Sequence, residues 1–146
     1  MIRVKIKKTH EDAIIPHCAY PGDAGYDLHS VENYVLLPGE RVLVRTGLAI
    51  ELPPYTEAQI RPRSGYALNN GITVLNSPGT IDQGYRNELG VILINLGQEA
   101  FHIKKWAKIA QLVIKPIYEI EFIETAQLNT TERGQKGFGS STSNSN

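Results

Sequence analysis

The stretch RVLVRTGLAIELPPYTEAQIR, residues 41–61, contains three short runs in which apolar residues recur among polar ones. Residues 41–46 form the first run, residues 48–52 the second and residues 58–61 the third. A repeat of two residues places successive side chains on opposite faces, as in a half-buried β-strand. Pro53 and Pro54 lie before the third run and are typical of a turn. The stretch therefore predicts consecutive short β-strands.

The same pattern extends in both directions from this stretch. Ile2, Val4 and Ile6 alternate with basic residues near the start of the chain. Further runs occupy residues 34–37, 91–96, 101–104, 109–117 and 120–123. Many short strands at this spacing indicate an all-β sandwich, barrel or jelly roll. Only residues 64–69 look helical, with Ser64 as a possible N-cap and Gly71 as the stop.

Length and charge limit the classes of function. A chain of 146 residues fits one domain, and a domain of this size buries roughly 70% of its unfolded surface. The 15 basic residues balance 15 acidic ones, so there is no global positive field for gripping a nucleic acid. A small polyanion such as a nucleotide needs only a few local cations and amide donors. We therefore expect no nucleic-acid partner, while a nucleotide ligand stays possible.

Cysteine and histidine usage limits the compartment and the metal chemistry. Cys18 is the only cysteine, so the chain cannot form an internal disulfide, which favours a reducing compartment. The four histidines lack the spacing of metal ligands, so a protein-bound transition metal is not expected. The N-terminal residues do not form the apolar run of a signal peptide, and no stretch reaches membrane-spanning length. We expect a cytoplasmic protein that does not contact a membrane.

The composition divides the chain into a core, residues 1–124, and a C-terminal arm, residues 125–146. Glycine, serine, threonine and asparagine dominate the arm, which cannot bury itself. Within it, ERGQKGFGSS at residues 132–141 combines glycines, hydroxyls and two cations around Phe138. Such residues can crowd a phosphate and stack on a base. Taken alone, the segment fits a linker and a phosphate-binding loop equally well.

Four further segments carry candidate chemistry, and each has a plainer explanation. Arginines and amides of RPRSGYAL, residues 61–68, could bind an anion or form a capped, solvated turn. Asp82 could be a general base or a turn aspartate. In residues 21–30, Asp23 and Asp27 could cap a turn or orient an arginine. Gln111 could be the solvent-facing member of an alternating strand.

Taken together and in order, these segments resemble the five motifs of the trimeric deoxyuridine triphosphatase (dUTPase) family. The motifs are AGYDL at residues 24–28, RPRSG at 61–65, NSPGTIDQGY at 76–85, IAQL at 109–112 and RGQKGFGSS at 133–141. The resemblance implies a jelly-roll homotrimer with three active sites between subunits. It also implies hydrolysis of dUTP to dUMP and pyrophosphate, which limits uracil incorporation into DNA and supplies dUMP for thymidylate synthesis.

The resemblance also assigns roles by position. Asp82 is expected to activate the water that attacks the α-phosphorus, and Tyr85 to lie under the deoxyribose and exclude a 2′-hydroxyl. Asn76, with the backbone at Gly79, Thr80 and Ile81, is expected to read the uracil. Asp27 is expected to orient the site, and Mg²⁺ to be held by substrate phosphates and waters. The remaining expected substrate contacts are Arg63, Ser64, Gly65, Gln111, Arg133, Lys136, Gly137, Phe138, Gly139, Ser140 and Ser141. In this arrangement one subunit provides Arg63 and Gln111, a second the hairpin of residues 76–85, and the third its arm.

Two alternatives stay open at this point. A dCTP deaminase would share the fold and much of the third motif, but it needs a glutamate in the following strand, where this chain has Ile92. A catalytically silent trimer that binds dUTP or a protein partner has no physical need for a positioned base such as Asp82. The chain departs from the family pattern at Gly84 and Asn87, so we expect the loop after Asp82 to run differently. It departs again in the arm, where Lys136 stands at a position that is frequently glycine.

Overall fold

The computed structural model describes residues 1–137, which form eleven strands and one short helix. In chain order the elements are β1 (Lys5–Lys8), β2 (Tyr26–His29), β3 (Tyr34–Leu36), β4 (Arg41–Arg45), β5 (Leu48–Glu51), β6 (Thr56–Arg61), α1 (Ser64–Asn70), β7 (Ile72–Val74), β8 (Gly79–Ile81), β9 (Gly90–Asn95), β10 (Phe101–Ile103) and β11 (Lys108–Pro116). The predicted all-β class with one helical turn is therefore confirmed.

The strands form four antiparallel groups. The largest sheet has the order β2-β11-β6-β8, and a second has the order β4-β9-β7. The other two groups are two-stranded sheets, in which β1 pairs with β5 and β10 pairs with β3. Because neighbours within each sheet are distant in sequence, the chain passes repeatedly between sheets, as jelly-roll connectivity requires.

The alternation of residues along the strands places one hydrophobic core between the sheets. In β6 the buried positions are Thr56, Ala58 and Ile60, while in β9 they are Val91, Leu93 and Asn95. Apolar members of both sets belong to a single buried cluster, which also contains residues of the two strand pairs. The period-two pattern read from the sequence thus determines which face of each strand lies inward.

The helix α1 was predicted at its position, but its first turn differs from the expectation. Ser64 is the first helical residue, and the N-cap is Arg63, whose backbone is extended and whose side chain makes no capping hydrogen bond. The prediction of Ser64 as N-cap is therefore wrong by one residue. Gly71 ends the helix in the left-handed conformation, with φ 68°, as predicted.

Three local predictions are wrong. Residues 120–123 form no strand, because nothing among residues 1–137 pairs with them. The strands β7 and β8 do not belong to the predicted runs, because turn-forming residues lie next to both of them at Asn70, Gly71, Asn76 and Pro78. Residues 76–85 do not form a simple hairpin, because β7 pairs with β9 while β8 pairs with β6. No helix among residues 1–137 is long and apolar enough to cross a membrane.

Asn95 provides a test of this fold. Its side chain is 0% exposed; Nδ2 donates to the carbonyls of Leu36 at 2.9 Å and Glu99 at 2.8 Å, and Oδ1 accepts from the Gly97 amide at 2.9 Å. We predict that Asn95→Ala lowers the free energy of unfolding by about 2–4 kcal/mol, because backbone groups lose their partners. Denaturant titration at fixed protein concentration measures the change. The exposed Asn129→Ala is the control, and equal stability of the two variants would contradict the assigned role.

Candidate active site

A small polar cleft of about 130 Å³ lies beside the largest sheet. Its lining consists of Asp27, Arg63, Ser64, Gly65 and Gln111. Strand pairing explains the juxtaposition, because Gln111 of β11 lies opposite Asp27 of β2 on one side and opposite Arg61 of β6 on the other. The chain leaves β6 after Arg61, and the next residues bring Arg63 and Ser64 into the same cleft. The structure thus brings together five of the predicted site residues.

The charged groups of this cleft form a connected set. Lys108 Nζ lies 2.6 Å from Asp27 Oδ2, and the backbone carbonyl of Lys108 accepts a hydrogen bond from Arg63 Nη1 at 3.2 Å. The Arg63 guanidinium also lies 5.1 Å from the centre of the Tyr66 ring. These contacts hold one cation and one ion pair next to Ser64. Asp27 contacts Lys108 where the sequence suggested an arginine, while Asp23 accepts a hydrogen bond from the Tyr20 amide and so caps a turn.

Gln111 does not simply face solvent. Its Nε2 donates to the carbonyl of Pro62 at 2.9 Å. A primary amide has two N–H donors, so one remains for a ligand in the cleft. The alternation along β11 predicts only which face Gln111 occupies. The contact with Pro62 depends on the course of the chain after β6.

His29 and Lys108 are residues near the cleft that sequence reasoning missed. His29 is 6% exposed and stacks on His17, with ring centroids 5.8 Å apart. Burial lowers the pKa of His29, although the nearby Asp27 carboxylate acts in the opposite direction. Lys108 is recognisable only from the β2–β11 register, because nothing in its sequence neighbourhood indicates an acidic partner. His29 stays neutral near pH 7 and adds no positive charge here.

The predicted uracil-reading residues lie on another part of the chain, along and before β8. Gly79 pairs with Ile60 of β6, Thr80 with Gln59 and Ile81 with Ala58. A methyl group on Gly79 would lie only 3.2 Å from Nδ2 of Asn76, so the glycine allows this amide to pack against the backbone. The exposed amide group of Asn76 is therefore held against the backbone at Gly79.

Hydrogen bonds anchor the loop that carries Asp82 and Tyr85. The Tyr85 amide donates to the Asp82 carbonyl at 3.0 Å, and the Tyr55 amide donates to Gln83 Oε1 at 2.9 Å. The Tyr85 hydroxyl donates to the Glu88 carbonyl at 3.1 Å. Asp82 itself is exposed. The side of Gly84 is open, since a methyl group there would meet no atom within 4 Å.

Glu88 fixes the far end of this loop. Arg45 donates to both of its carboxylate oxygens, at 3.1 and 3.0 Å, and Thr9 and the Gly47 amide donate to it as well. Burial alone would raise the pKa of Glu88, but these hydrogen bonds hold it below its ordinary value. The loop therefore has a rigid base beneath a solvent-facing Asp82.

Within residues 1–137 the two groups of residues remain apart. Neither Asp82 nor Tyr85 lines the cleft that contains Arg63 and Gln111, and none of Arg133, Lys136 and Gly137 does. Arg133 and Lys136 belong to a turn in which the Lys136 amide donates to the Arg133 carbonyl at 3.1 Å. The predicted contacts Phe138, Gly139, Ser140 and Ser141 lie outside the described residues. Within one chain, the cleft around Arg63 and Gln111 and the loop with Asp82 and Tyr85 are therefore two separate groups of polar residues.

Comparison with known proteins identifies the family of the chain. The family model described as dUTPase matches residues 11–142. This chain belongs to the dUTPase family. It is 56% identical to the deoxyuridine 5′-triphosphate nucleotidohydrolase of Clostridioides difficile over 140 residues, covering 96% of this chain and 98% of that protein. It is 55% identical to the protein of the same name from Trichodesmium erythraeum over 139 residues, covering 95% and 98%.

Solved structures agree with this membership. The Staphylococcus bacteriophage 80alpha dUTPase, solved with dUpNHpp, is 30% identical and superposes with a TM-score of 0.86, covering 96% of this chain and 98% of that one. A mutant dUTPase from phage phi11 of S. aureus, described with a structural Mg(II) ion, is 25% identical with a TM-score of 0.80, covering 86% and 97%. The jelly-roll fold is confirmed, and the family model that matches is that of the dUTPases.

The described side chains do not form a metal cage of their own. Among residues 1–137 no group of three histidines, cysteines or acids lies close enough to enclose a metal ion. The cleft does contain one carboxylate, Asp27, beside groups suited to phosphate oxygens. Mg²⁺ commonly keeps several waters and binds through substrate phosphates. The donor set therefore fits an ion that arrives with a nucleotide, held mainly by its phosphates.

Proposed function

We propose that this protein hydrolyses dUTP to dUMP and pyrophosphate. The observation that carries the proposal is the cleft in which Arg63, Ser64 and Gln111 meet at the end of β6, in a chain of the dUTPase family. A guanidinium, a hydroxyl and an amide N–H are the donors that phosphate oxygens require. The 80alpha dUTPase with dUpNHpp has the same fold, which supports a nucleoside triphosphate as the ligand.

In the proposed reaction Asp82 takes a proton from a water molecule as that water attacks the α-phosphorus. The new bond joins the water oxygen to phosphorus, and the bond from the α-phosphorus to the bridging oxygen breaks. Pyrophosphate leaves with the electron pair of that bond. The exposed position of Asp82, on a loop held by Gln83 and Glu88, leaves its carboxylate accessible to such a water.

Selectivity for deoxyuridine is assigned to the segment around β8. Asn76 and the backbone of Gly79, Thr80 and Ile81 would pair with the edge of uracil, and a tight fit there would reject the methyl group of thymine. The Tyr85 ring, tied to its own loop through the Glu88 carbonyl, would leave no room for a ribose 2′-hydroxyl. Arg133, Lys136 and the remaining arm residues would complete the contacts as the arm closes.

Mg²⁺ would be held by the phosphates and by waters, with Asp27 the acid nearest to them. When bound, the ion neutralises phosphate charge and orients the chain of phosphates. This chain has a net charge of zero, so cations local to the site must provide the rest of the neutralisation. Arg63 lines the cleft and would provide part of it, while Lys108 offsets the charge of Asp27 in its ion pair. With a single cysteine, the cytoplasm remains the proposed compartment.

A homotrimer is proposed because the site residues of one chain are divided between two places. The segment after β11 also carries a surface that needs a partner. Tyr118, Ile120 and Phe122 alternate with Glu119 and Glu121, and the three apolar side chains are 86, 73 and 94% exposed. A strand of this pattern has one apolar and one acidic face. A contiguous exposed apolar face of this kind is typical of a surface that contacts another chain.

The edge of β1 is complementary to this segment. Among residues 1–137, β1 pairs only with β5, which leaves its other edge available. Lys5 and Lys7 lie on one face of β1 and Ile6 on the other, and Ile6 and the preceding Val4 help to line a mostly apolar groove of about 530 Å³. The acidic segment of a second copy would place glutamates near the lysines and Phe122 in the groove. This pairing would lead the arm onto a neighbouring subunit.

The first prediction of this proposal concerns the base. Asp82→Asn should lower kcat for dUTP by on the order of 10²–10⁴-fold, because an amide can position a water but cannot take its proton. Nucleotide binding and oligomer mass should remain those of the parent. Pyrophosphate release measures turnover, and the exposed Glu11→Gln is the matched acid-to-amide control. Near-normal turnover of Asp82→Asn would refute the assignment of the base.

The second prediction concerns assembly. Phe122→Asp should shift the protein towards the monomer at low concentration, because a charge replaces the side chain expected in the groove. Leu128→Asp makes the same change outside the segment and should leave the trimer unchanged. Sedimentation over a range of concentrations gives the mass of each variant. Identical trimer dissociation in the two variants would show that residues 118–122 are not the subunit contact.

A further inference from the structure

Gly25 lies against the amide of Gln111 at the cleft. A methyl group built on Gly25 would lie 2.1 Å from Oε1, 3.1 Å from Cδ and 3.4 Å from Cβ of Gln111. No backbone atom is among these nearest neighbours. Gly25 also precedes β2, whose Asp27 lies opposite Gln111 in the sheet. The closest group that a larger residue would displace is therefore a predicted phosphate ligand.

Backbone conformation does not explain the glycine. Gly22, Gly39 and Gly71 have φ values of 94°, 81° and 68°, which favour glycine whatever surrounds them. Gly25 is not among the residues with positive φ, so an alanine could adopt its backbone conformation. An alanine at this position would, however, displace the side chain of Gln111.

The orientation of the Gln111 amide depends on contacts on both sides. Nε2 donates to the Pro62 carbonyl at 2.9 Å, which fixes the nitrogen on that side and leaves Oε1 towards Gly25. A methyl group at residue 25 would push Oε1 away and break the geometry at Pro62. Because the displaced atoms are the end of a flexible side chain, the fold itself would change little.

We propose that Gly25 is a positioning residue for substrate binding, and that it acts by keeping the Gln111 amide in the cleft beside Arg63 and Ser64. This deepens the proposed function, on which it rests. The second N–H of Gln111 is then aimed by the backbone of two separate segments, Gly25 before β2 and Pro62 after β6. Gly25 contacts no ligand itself.

The test is a double-mutant cycle with Gly25→Ala and Gln111→Ala. We expect Gly25→Ala to raise KM for dUTP roughly tenfold, about the value of one hydrogen bond to a charged group, with kcat and melting temperature close to those of the parent. In the Gln111→Ala background, Gly25→Ala should change KM by less than about twofold, because the residue through which it acts is gone. The same fold-change in both backgrounds would overturn the proposal, as would a lower melting temperature with KM unchanged.

A second measurement does not depend on turnover. In isotope-labelled protein the side-chain amide resonances of Gln111 are assigned by their loss in Gln111→Ala. They should move in Gly25→Ala without any nucleotide, and unmoved resonances would overturn the proposal. If the parent protein fails to hydrolyse dUTP, the proposed function fails, while these resonances still report whether Gly25 positions Gln111.

Discussion

The antiparallel pairing of β11 with β2 and β6 is the constraint on which the site depends. It places Gln111 between Asp27 and Arg61, and it sets Lys108 beside Asp27. A slip of one residue would turn Gln111 towards the core and a buried neighbour towards the cleft. The register is specified because Ala110 and Leu112, on either side of Gln111 along the strand, are buried in the core. Core packing and the donors proposed to bind phosphate are therefore fixed by the same hydrogen-bond ladder.

The period-two pattern predicted most of the strands because one face of each strand packs in the core and the other faces solvent. Seven predicted runs from residue 34 to residue 117 correspond to observed strands. Predictions failed where the cause is not local: β8 is a strand because β6 lies next to it, and residues 120–123 have strand-like alternation but no partner within residues 1–137. Within the site, the motif order identified Arg63 and Gln111, whereas Lys108 and Gly25 became recognisable only through contacts across the sheet.

The division of polar groups between two parts of one chain carries a physical consequence. Arg63 and Gln111 offer donors without a base, while Asp82 stands exposed on a loop braced by Glu88. With the proposed roles, a single subunit would have no base beside its phosphate donors. Assembly would complete the site and, at the same time, cover the apolar residues that follow β11. Folding, assembly and catalysis would then be coupled through the same segment.

The central claim, that each site combines residues of different subunits, is tested most directly by mixing two inactive variants. Asp82→Asn and Arg63→Ala are unfolded together in equal amounts and refolded, and dUTP turnover is compared with that of each variant refolded alone. If sites form between subunits, about a quarter of all sites in the refolded mixture, or roughly one of the three in each mixed trimer, pair an intact Asp82 with an intact Arg63, and activity returns. If all site residues come from one chain, no mixed trimer contains an intact site, and the mixture stays as inactive as its components.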